Sequence, residues 1–292
     1  MAKKEIIISN VLIGEKHPVF MIAEIGINHN GDLSIAKKLV DAAFACNWNC
    51  VKFQKRDPDI CVPEHQKNVM RETPWGKITY LEYRYKVEFG HKEYDYIDRY
   101  CKEKPVLWTA SAWDMPSLEF ILKYNVPFIK VPSAKLTELE FLRQVAKSGK
   151  PIMLSTGMSS VEEVDCAVNV LERESSSDYL LMHTNSTYPT PEKDINLLII
   201  QFLKNRYKCI VGYSGHEYDL EPTVIAVVMG ARVIERHVTL SHSLWGTDQF
   251  ASLEIHAMNM LYKRIKNVDV IIGDGIKRVT EKEYEIRKKL RG

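Results

Sequence analysis

No run in this chain is apolar for long enough to cross a bilayer, and the opening Met1-Ala-Lys-Lys-Glu lacks the apolar segment of a secretory leader. Charge of one sign is lacking too. The 292 residues carry a formal charge of +2, with the basic residues scattered apart from a cluster between Arg287 and Arg291 that reads as a solvated helix end. That leaves no footprint for nucleic acid and no polybasic membrane patch. The six cysteines, at 46, 50, 61, 101, 166 and 209, form no CxxC pair and no Cys/His metal pattern. Reduced thiols in a cytoplasmic protein are therefore the expectation.

What is present is a repeating alternation. A small hairpin is expected over 5–17, where Ile6-Ile7-Ile8 and Val11-Leu12-Ile13 flank a two-residue Ser9-Asn10 turn, as a plug for one end of a larger sheet. Eight short apolar runs follow, at 19–24, 50–54, 106–111, 128–133, 151–157, 179–183, 209–214 and 232–237. Between them lie segments of helical period, such as Ala36, Leu39, Val40 and Ala43 after a cap at Asp32 or Ser34. Ser160 and Glu163 spell a capping box ahead of Val161, Val164, Val168 and Leu171. Eight strand-then-helix units in one chain point to an α/β fold, a (β/α)8 TIM barrel with an N-terminal β-hairpin, occupying 1–292 as a single domain. Residues 55–90 interrupt the pattern. They are long, irregular and rich in tyrosine and charge, and are expected to form a lid or binding loop after the second strand.

In such a barrel the chemistry sits at the C-terminal ends of the strands. Here those ends carry Glu24, Lys52, Ser111, Lys130, Ser155, Asn185, His216 and His237. Polar residues are ordinary where a strand meets solvent, which accounts for the serines. It accounts poorly for Lys52 in Val-Lys-Phe and Lys130 in Ile-Lys-Val, because a lysine directed into a barrel needs an anion or a carboxylate. The two lysines with Ser111, Ser133, Ser155 and Ser214 make a cationic, donor-rich floor for a ligand bearing phosphate and carboxylate.

The stretch 211–248 adds the histidines. His216 and His237 end two strands joined by a helix over 222–229, so both imidazoles emerge at one edge of the sheet. They are either hydrogen-bonded core histidines or a pair holding a divalent metal with open positions. Glu24 is a general base or acid, or a salt-bridge partner for a barrel lysine. Glu235 shares a strand face with His237 and is a candidate supporting group. Asp248 binds substrate hydroxyl or metal, or only caps a helix. Asn28 and His29 lie in the loop after the first strand, either near the barrel mouth or at the surface, where a loop histidine is more often found.

These residues carry a resemblance. Ala-Glu24-Ile-Gly-Ile-Asn-His-Asn-Gly, Val-Lys52-Phe-Gln54, Lys130-Val-Pro-Ser133, Leu-Ser155-Thr-Gly-Met, Tyr188-Pro-Thr-Pro, Gly-Tyr-Ser214-Gly-His216 and Glu-Arg-His237-Val-Thr occur in order, and resemble the sialic acid (nonulosonic acid) synthase family over nearly the whole chain. The resemblance implies a TIM barrel that condenses phosphoenolpyruvate with a sugar aldehyde to a 3-deoxy-2-keto sugar acid, with phosphate leaving by C–O cleavage. It implies that Lys52, Ser111, Lys130, Ser133, Ser155, Ser186 and Ser214 bind phosphoenolpyruvate. His216 and His237 would hold a Mn2+-like ion, with Mg2+ or Co2+ as alternatives, and Glu24 would manage protons or the attacking water. Gln54, Trp113, Tyr188 and Asp248 would line the acceptor pocket, and a homodimer is the family's assembly. Two departures stand out. The family's small C-terminal antifreeze-like domain has no counterpart before Gly292 and is expected to be absent. The family's acceptor-contacting glutamate is replaced by Lys135, so the expected acceptor is a different aldose, one bearing a phosphate or carboxylate that pairs with Lys135. The alternatives are an octulosonate-phosphate-type synthase on an aldose phosphate, a metal-dependent aldolase working with pyruvate, and a degenerate sugar-binding protein.

Overall fold

The structure, a computed structural model, describes residues 5–291. The chain opens with the antiparallel hairpin β1 (Glu5–Ile8) and β2 (Val11–Gly14), turned through Ser9 and Asn10. The first barrel strand is β3 (Phe20–Gly26), followed by α1 (Leu33–Ala45), whose N-terminus is capped by Asp32 accepting from the Ser34 N–H. Next come β4 (Cys50–Lys55) and the insertion, which is more regular than its sequence suggests. It holds the one-turn helices α2 (Pro58–Cys61) and α3 (Glu64–Lys67), a hairpin of β5 (Met70–Thr73) and β6 (Gly76–Thr79), and α4 (Tyr80–Val87). A Thr79/Glu82 capping box starts α4, a local signal that the surrounding charge conceals.

Then α5 (His91–Glu103), β7 (Leu107–Ala112), α6 (Met115–Leu122), β8 (Ile129–Val131), α7 (Leu139–Lys147), β9 (Ile152–Ser155), α8 (Val161–Glu174), β10 (Tyr179–Thr184), α9 (Leu198–Tyr207), β11 (Val211–Gly215), α10 (Glu221–Val228), β12 (Val233–His237), α11 (Ile255–Ile272) and α12 (Glu281–Arg291) complete the chain. The eight strands β3, β4, β7, β8, β9, β10, β11 and β12 pair in parallel, and β12 returns to β3 to close the barrel. The Ser160/Glu163 capping box forms as expected, and Val164, Val168 and Leu171 are buried, but Val161 in the first turn faces outward.

Two separate cores follow from strand alternation. One side of each strand meets the helices: Ala23 and Ile25, Val51 and Phe53, Leu154, Leu181 and Ile234 all join the large outer cluster. The other side points into the barrel. At its N-terminal end Phe20, Ile22, Cys50, Phe128, Met153, Leu180 and Val233 fill the interior, and Ile6, Ile8 and Ile13 of the hairpin close it from below. That plug excludes water from the floor. Two residues further along each strand the same inward face becomes polar, so the alternation that builds the core also aims the site.

Candidate active site

Following the inward face upward gives the site directly. Ile22 leads to Glu24, Cys50 to Lys52, Phe128 to Lys130, Met153 to Ser155 and Val233 to Glu235, then His237. These groups share a cavity of about 180 Å3 with Gln54, Ser111, Trp113, Ser133, Ser186, Tyr188, Ser214 and His216. Larger grooves lie elsewhere on the surface, such as one of about 820 Å3 between α8 and α9, but they lack a convergent set of buried ionisable groups.

The floor is a closed charge network. Lys52 Nζ lies 2.6 Å from Glu24 Oε2 and 3.5 Å from Glu235 Oε1, and Lys130 Nζ lies 3.7 Å from the same Glu235 oxygen. Lys52 donates to Ser111 Oγ at 2.9 Å and Lys130 to Ser155 Oγ at 2.7 Å. Because these hydroxyls accept from ammonium groups, their own protons remain to be donated. Ser214 donates to Glu235 Oε1 at 3.1 Å, and Gln54 Nε2 donates to Glu24 Oε1 at 3.0 Å. All four charged side chains are almost fully buried. Burial alone pushes the Glu235 carboxyl up, but Lys130 and Lys52 outweigh it and hold Glu235 below the ordinary carboxylate range. Burial, opposed by Glu235 and reinforced by Lys52, draws Lys130 down to about 8. Glu24 is thus ion-paired to a barrel lysine and still lines the open cavity. The two readings of it from sequence are compatible.

A second layer sits at the ends of β11 and β12. His216 Nδ1 donates to the Asn185 carbonyl at 2.5 Å, which fixes its tautomer and leaves Nε2 as the lone-pair nitrogen, 2.9 Å from the Tyr188 hydroxyl. The Tyr188 ring stacks on His216 at 4.0 Å, and the His216 and His237 rings lie 5.6 Å apart. Burial, then the neighbouring His237, lowers His216 to about 3, so it is neutral at pH 7, as a metal-ligating imidazole must be. His237 Nδ1 and Glu235 Oε2 are buried without a hydrogen-bond partner among the described residues. No group of three or more His, Cys, Asp or Glu converges on a single ion position among those residues. A cation here would take two imidazoles from the protein and the rest of its shell from ligand and water, and the orphaned imidazole nitrogen fits that arrangement.

Backbone shape completes the cradle. Gly157 N–H donates to Ser133 Oγ at 3.0 Å, and a Cβ at Gly157 would come within 2.5 Å of Ser186 Oγ. Gly26 adopts φ +54° where the β3–β4 register shifts, and a Cβ there would crowd Gln54, His237 and Glu24 at 3.2 to 3.3 Å. Both glycines keep side chains out of the space the ligand needs.

Two residues expected at the acceptor end do not line the cavity. Lys135 stands on a single 3-10 turn (Ser133–Lys135) and is tied to Glu138 at 2.6 Å, the i,i+3 partner the turn supplies. Asp248 is further out; its carboxylate accepts from Thr247 Oγ1 at 2.7 Å, while its charge is felt at the Tyr188 phenol. His29 is not a surface residue. It is 2% exposed, stacks on Phe89 at 3.8 Å, and accepts from the Gly31 N–H through Nδ1. Asn28 likewise turns inward, donating to Val238 O and Ser252 Oγ and tying the loop after β3 to the loop after β12. Sequence reasoning missed the Asn185 carbonyl, because a main-chain atom has no sequence signal. It also missed Glu217 and Arg236, a buried pair at 3.0 Å that locks α10 against β12 on the outer side of the barrel.

The chain is similar to known proteins along most of its length. A profile of the NeuB family matches residues 39–277. N-acetylneuraminate-9-phosphate synthase of Homo sapiens is 34% identical over 281 residues, 95% of this chain and 78% of that protein. The Drosophila melanogaster protein of the same name is 38% identical, over 94% and 73% of the two chains. N,N'-diacetyllegionaminic acid synthase of Campylobacter jejuni is 34% identical, over 91% and 80%. The crystal structure of N-acetylneuraminic acid synthetase from Leptospira borgpetersenii superposes with a TM-score of 0.86 at 32% identity, over 98% of this chain and 97% of that one. With the barrel, the strand-end charges and these relatives in agreement, the chain belongs to the NeuB family and is an enzyme of the synthase type.

Proposed function

We propose that this enzyme condenses phosphoenolpyruvate with a sugar aldehyde to give a 3-deoxy-2-keto sugar acid and inorganic phosphate. The observation that carries the reading is the buried Glu24–Lys52–Glu235–Lys130 network beneath the His216–His237 pair in one small cavity. Lys52 and Lys130 bind the donor's carboxylate and phosphate, with the Ser111 and Ser155 hydroxyls donating onward from the ammonium groups that hold them. Ser133, Ser186 and the Gly157 backbone offer the remaining donors on the β8–β9 side, and Ser214 steadies Glu235.

The C3 carbon of the enol attacks the aldehyde carbon, and the aldehyde oxygen takes a proton to become a hydroxyl. Water adds to C2, and the resulting tetrahedral carbon expels phosphate as its C–O bond breaks. Overall, donor, aldehyde and water give keto acid and phosphate. Glu24 is the group placed to take and return the proton, because Gln54 and Lys52 fix its carboxylate at the cavity wall. Charge balance argues for a cation. The two lysines and two glutamates already cancel, so a ligand with both carboxylate and phosphate adds buried negative charge that they do not offset. A divalent ion such as Mn2+, held by His216 and His237, would supply that charge and polarise the aldehyde carbonyl. Gln54, Trp113 and Tyr188 line the acceptor side of the cavity. The relatives' names include both phosphorylated and unphosphorylated products, so they leave the acceptor's phosphorylation open.

The test is phosphate release when the purified protein is mixed with phosphoenolpyruvate, Mn2+ and a panel of aldoses. Stoichiometric phosphate and keto acid are expected. A product formed from pyruvate instead, with phosphoenolpyruvate untouched, would reassign the site to an aldolase.

A further inference from the structure

The two imidazoles at the cavity differ in what meets their nitrogens. His237 Nδ1 is buried with no hydrogen-bond partner among the described residues, so that ring keeps a nitrogen open to a ligand. His216 keeps none. Its Nδ1 proton is committed to the Asn185 carbonyl, and Nε2, the nitrogen left with a lone pair, meets the Tyr188 hydroxyl at 2.9 Å. The phenol must therefore be the donor. A neutral imidazole has one lone pair in the plane of its ring, so Nε2 cannot accept from a hydroxyl and hold a cation at the same time.

Tyr188 is placed so that it can leave. It is 45% exposed, on the segment between β10 and α9, and the bond to His216 is the one its hydroxyl makes among the described residues. Its ring lies on the His216 ring with 4.0 Å between centroids and 28° between planes, and meets the His237 ring edge-on at 5.6 Å. The main chain on either side of it is tied down. Thr187 N–H donates to Asn185 Oδ1 at 2.9 Å, Thr190 Oγ1 donates to the Thr187 carbonyl at 2.9 Å, and Thr190 N–H donates to the His216 carbonyl at 3.0 Å. A change of side-chain rotamer at Tyr188 is then enough to uncover Nε2 while the loop stays in place.

We propose that Tyr188 is a displaceable cover on His216: its hydroxyl occupies Nε2 in the metal-free enzyme, and a divalent cation takes that nitrogen only in molecules where the side chain has turned away. The proposal rests on the metal reading above and deepens it by naming what controls loading of that site. The cover and the cation compete for one lone pair, so the cover weakens apparent cation affinity by the ratio of covered to open molecules. Once displaced, the hydroxyl is a free donor on a residue that lines the cavity with Gln54 and Trp113. Loading of the metal and readying of the acceptor side become one event. A hydroxyl that instead served as a ligand or support of the cation would act with the opposite sign.

The experiment is Mn2+ binding to wild type and Tyr188→Phe, followed by electron paramagnetic resonance. Phenylalanine keeps the ring on His216 and removes the hydroxyl alone. The variant is expected to bind Mn2+ about 3- to 30-fold more tightly, the range for a partly buried acceptor that has lost its donor. Thermal unfolding checks that the variant is folded. A second measurement needs no variant. Mn2+ added to wild type should give a near-ultraviolet tyrosine difference spectrum that saturates with the binding curve, as one phenol leaves a stacked, hydrogen-bonded setting. Equal or weaker Mn2+ binding by folded Tyr188→Phe overturns the cover, and so does a wild-type spectrum that stays silent across the titration. The metal reading fails by a different result, Mn2+ affinity unchanged in both His216→Asn and His237→Asn, and the cover falls with it. Binding that depends on the histidines but does not tighten in Tyr188→Phe sinks the cover alone.

Discussion

Lys52 and Lys130 reach the same carboxylate oxygen, Glu235 Oε1, at 3.5 and 3.7 Å, from strands separated by one other strand in the barrel. One anion thus holds two buried ammonium groups close enough to repel. The weaker-held of the two is Lys130, whose protonation is lowered to about 8, while the carboxylates hold Lys52 above the usual lysine value against its burial. A positive Lys130 binds an anionic donor and a neutral one does not. We expect kcat/KM for phosphoenolpyruvate, which reports the free enzyme, to fall as pH rises through about 8. Glu235→Gln removes an influence that raises Lys130, so the fall should begin at lower pH. A profile flat to pH 9.5 in the wild type would contradict this.

Gln54 and Lys52 hold the Glu24 carboxylate at the cavity wall, and the proposed mechanism gives it the transferred proton. Glu24→Gln keeps the shape and removes the base. The expected loss in kcat is about 100- to 10,000-fold. Phosphoenolpyruvate binding, measured by isothermal titration, should persist, since the lysines remain. A kcat within tenfold of wild type would remove Glu24 from the mechanism.

Removal of divalent metal with a chelator should abolish phosphate release, and Mn2+ should restore it. The independent readout is Mn2+ binding followed by electron paramagnetic resonance. His216→Asn and His237→Asn should each weaken it by more than the roughly 10- to 100-fold that losing an outer hydrogen-bond partner costs. Unchanged Mn2+ affinity in both variants would return the pair to the role of core histidines.

His29 gives a stability prediction. Burial lowers it from 6.5 to about 3, so the folded state keeps the ring neutral where the unfolded chain protonates it. Its contribution is therefore complete above pH 6.5 and is lost as pH falls from 6.5 towards 3. Between pH 6.5 and 4 the loss is roughly 3 kcal/mol at about 1.4 kcal/mol per pH unit. Urea unfolding of wild type and His29→Gln across that range should show the variant with the shallower decline. Parallel slopes would show that His29 is not the titrating group.

The barrel was legible because its signals are local. Alternating inward residues such as Ile22/Glu24 and Lys130/Pro132 need only the two-residue period of a strand. The insertion was less legible, since one-turn helices and a four-residue hairpin carry little periodicity, and α4 was readable only through its Thr79/Glu82 box. Site residues at strand ends were found for the same local reason. Lys135 was assigned to the acceptor because it stands where the resembling family has an acceptor-contacting glutamate, and that position says nothing of Glu138, the partner three residues on to which it is tied. His29 was expected at the surface because it lies in a loop, whereas Phe89 covers it from 60 positions along the chain.

The sequence alone determined which side chains face inward and that polar ones crown each strand, since both depend on backbone periodicity and on where apolar runs stop. Only tertiary structure decided which charges meet. Glu235 lies 105 residues from Lys130 and 183 from Lys52, and Arg84 is left without a carboxylate among the described residues although acidic residues flank it in the chain. Electrostatic energy depends on separation in space and on exclusion of water, and closing the barrel fixes both at once.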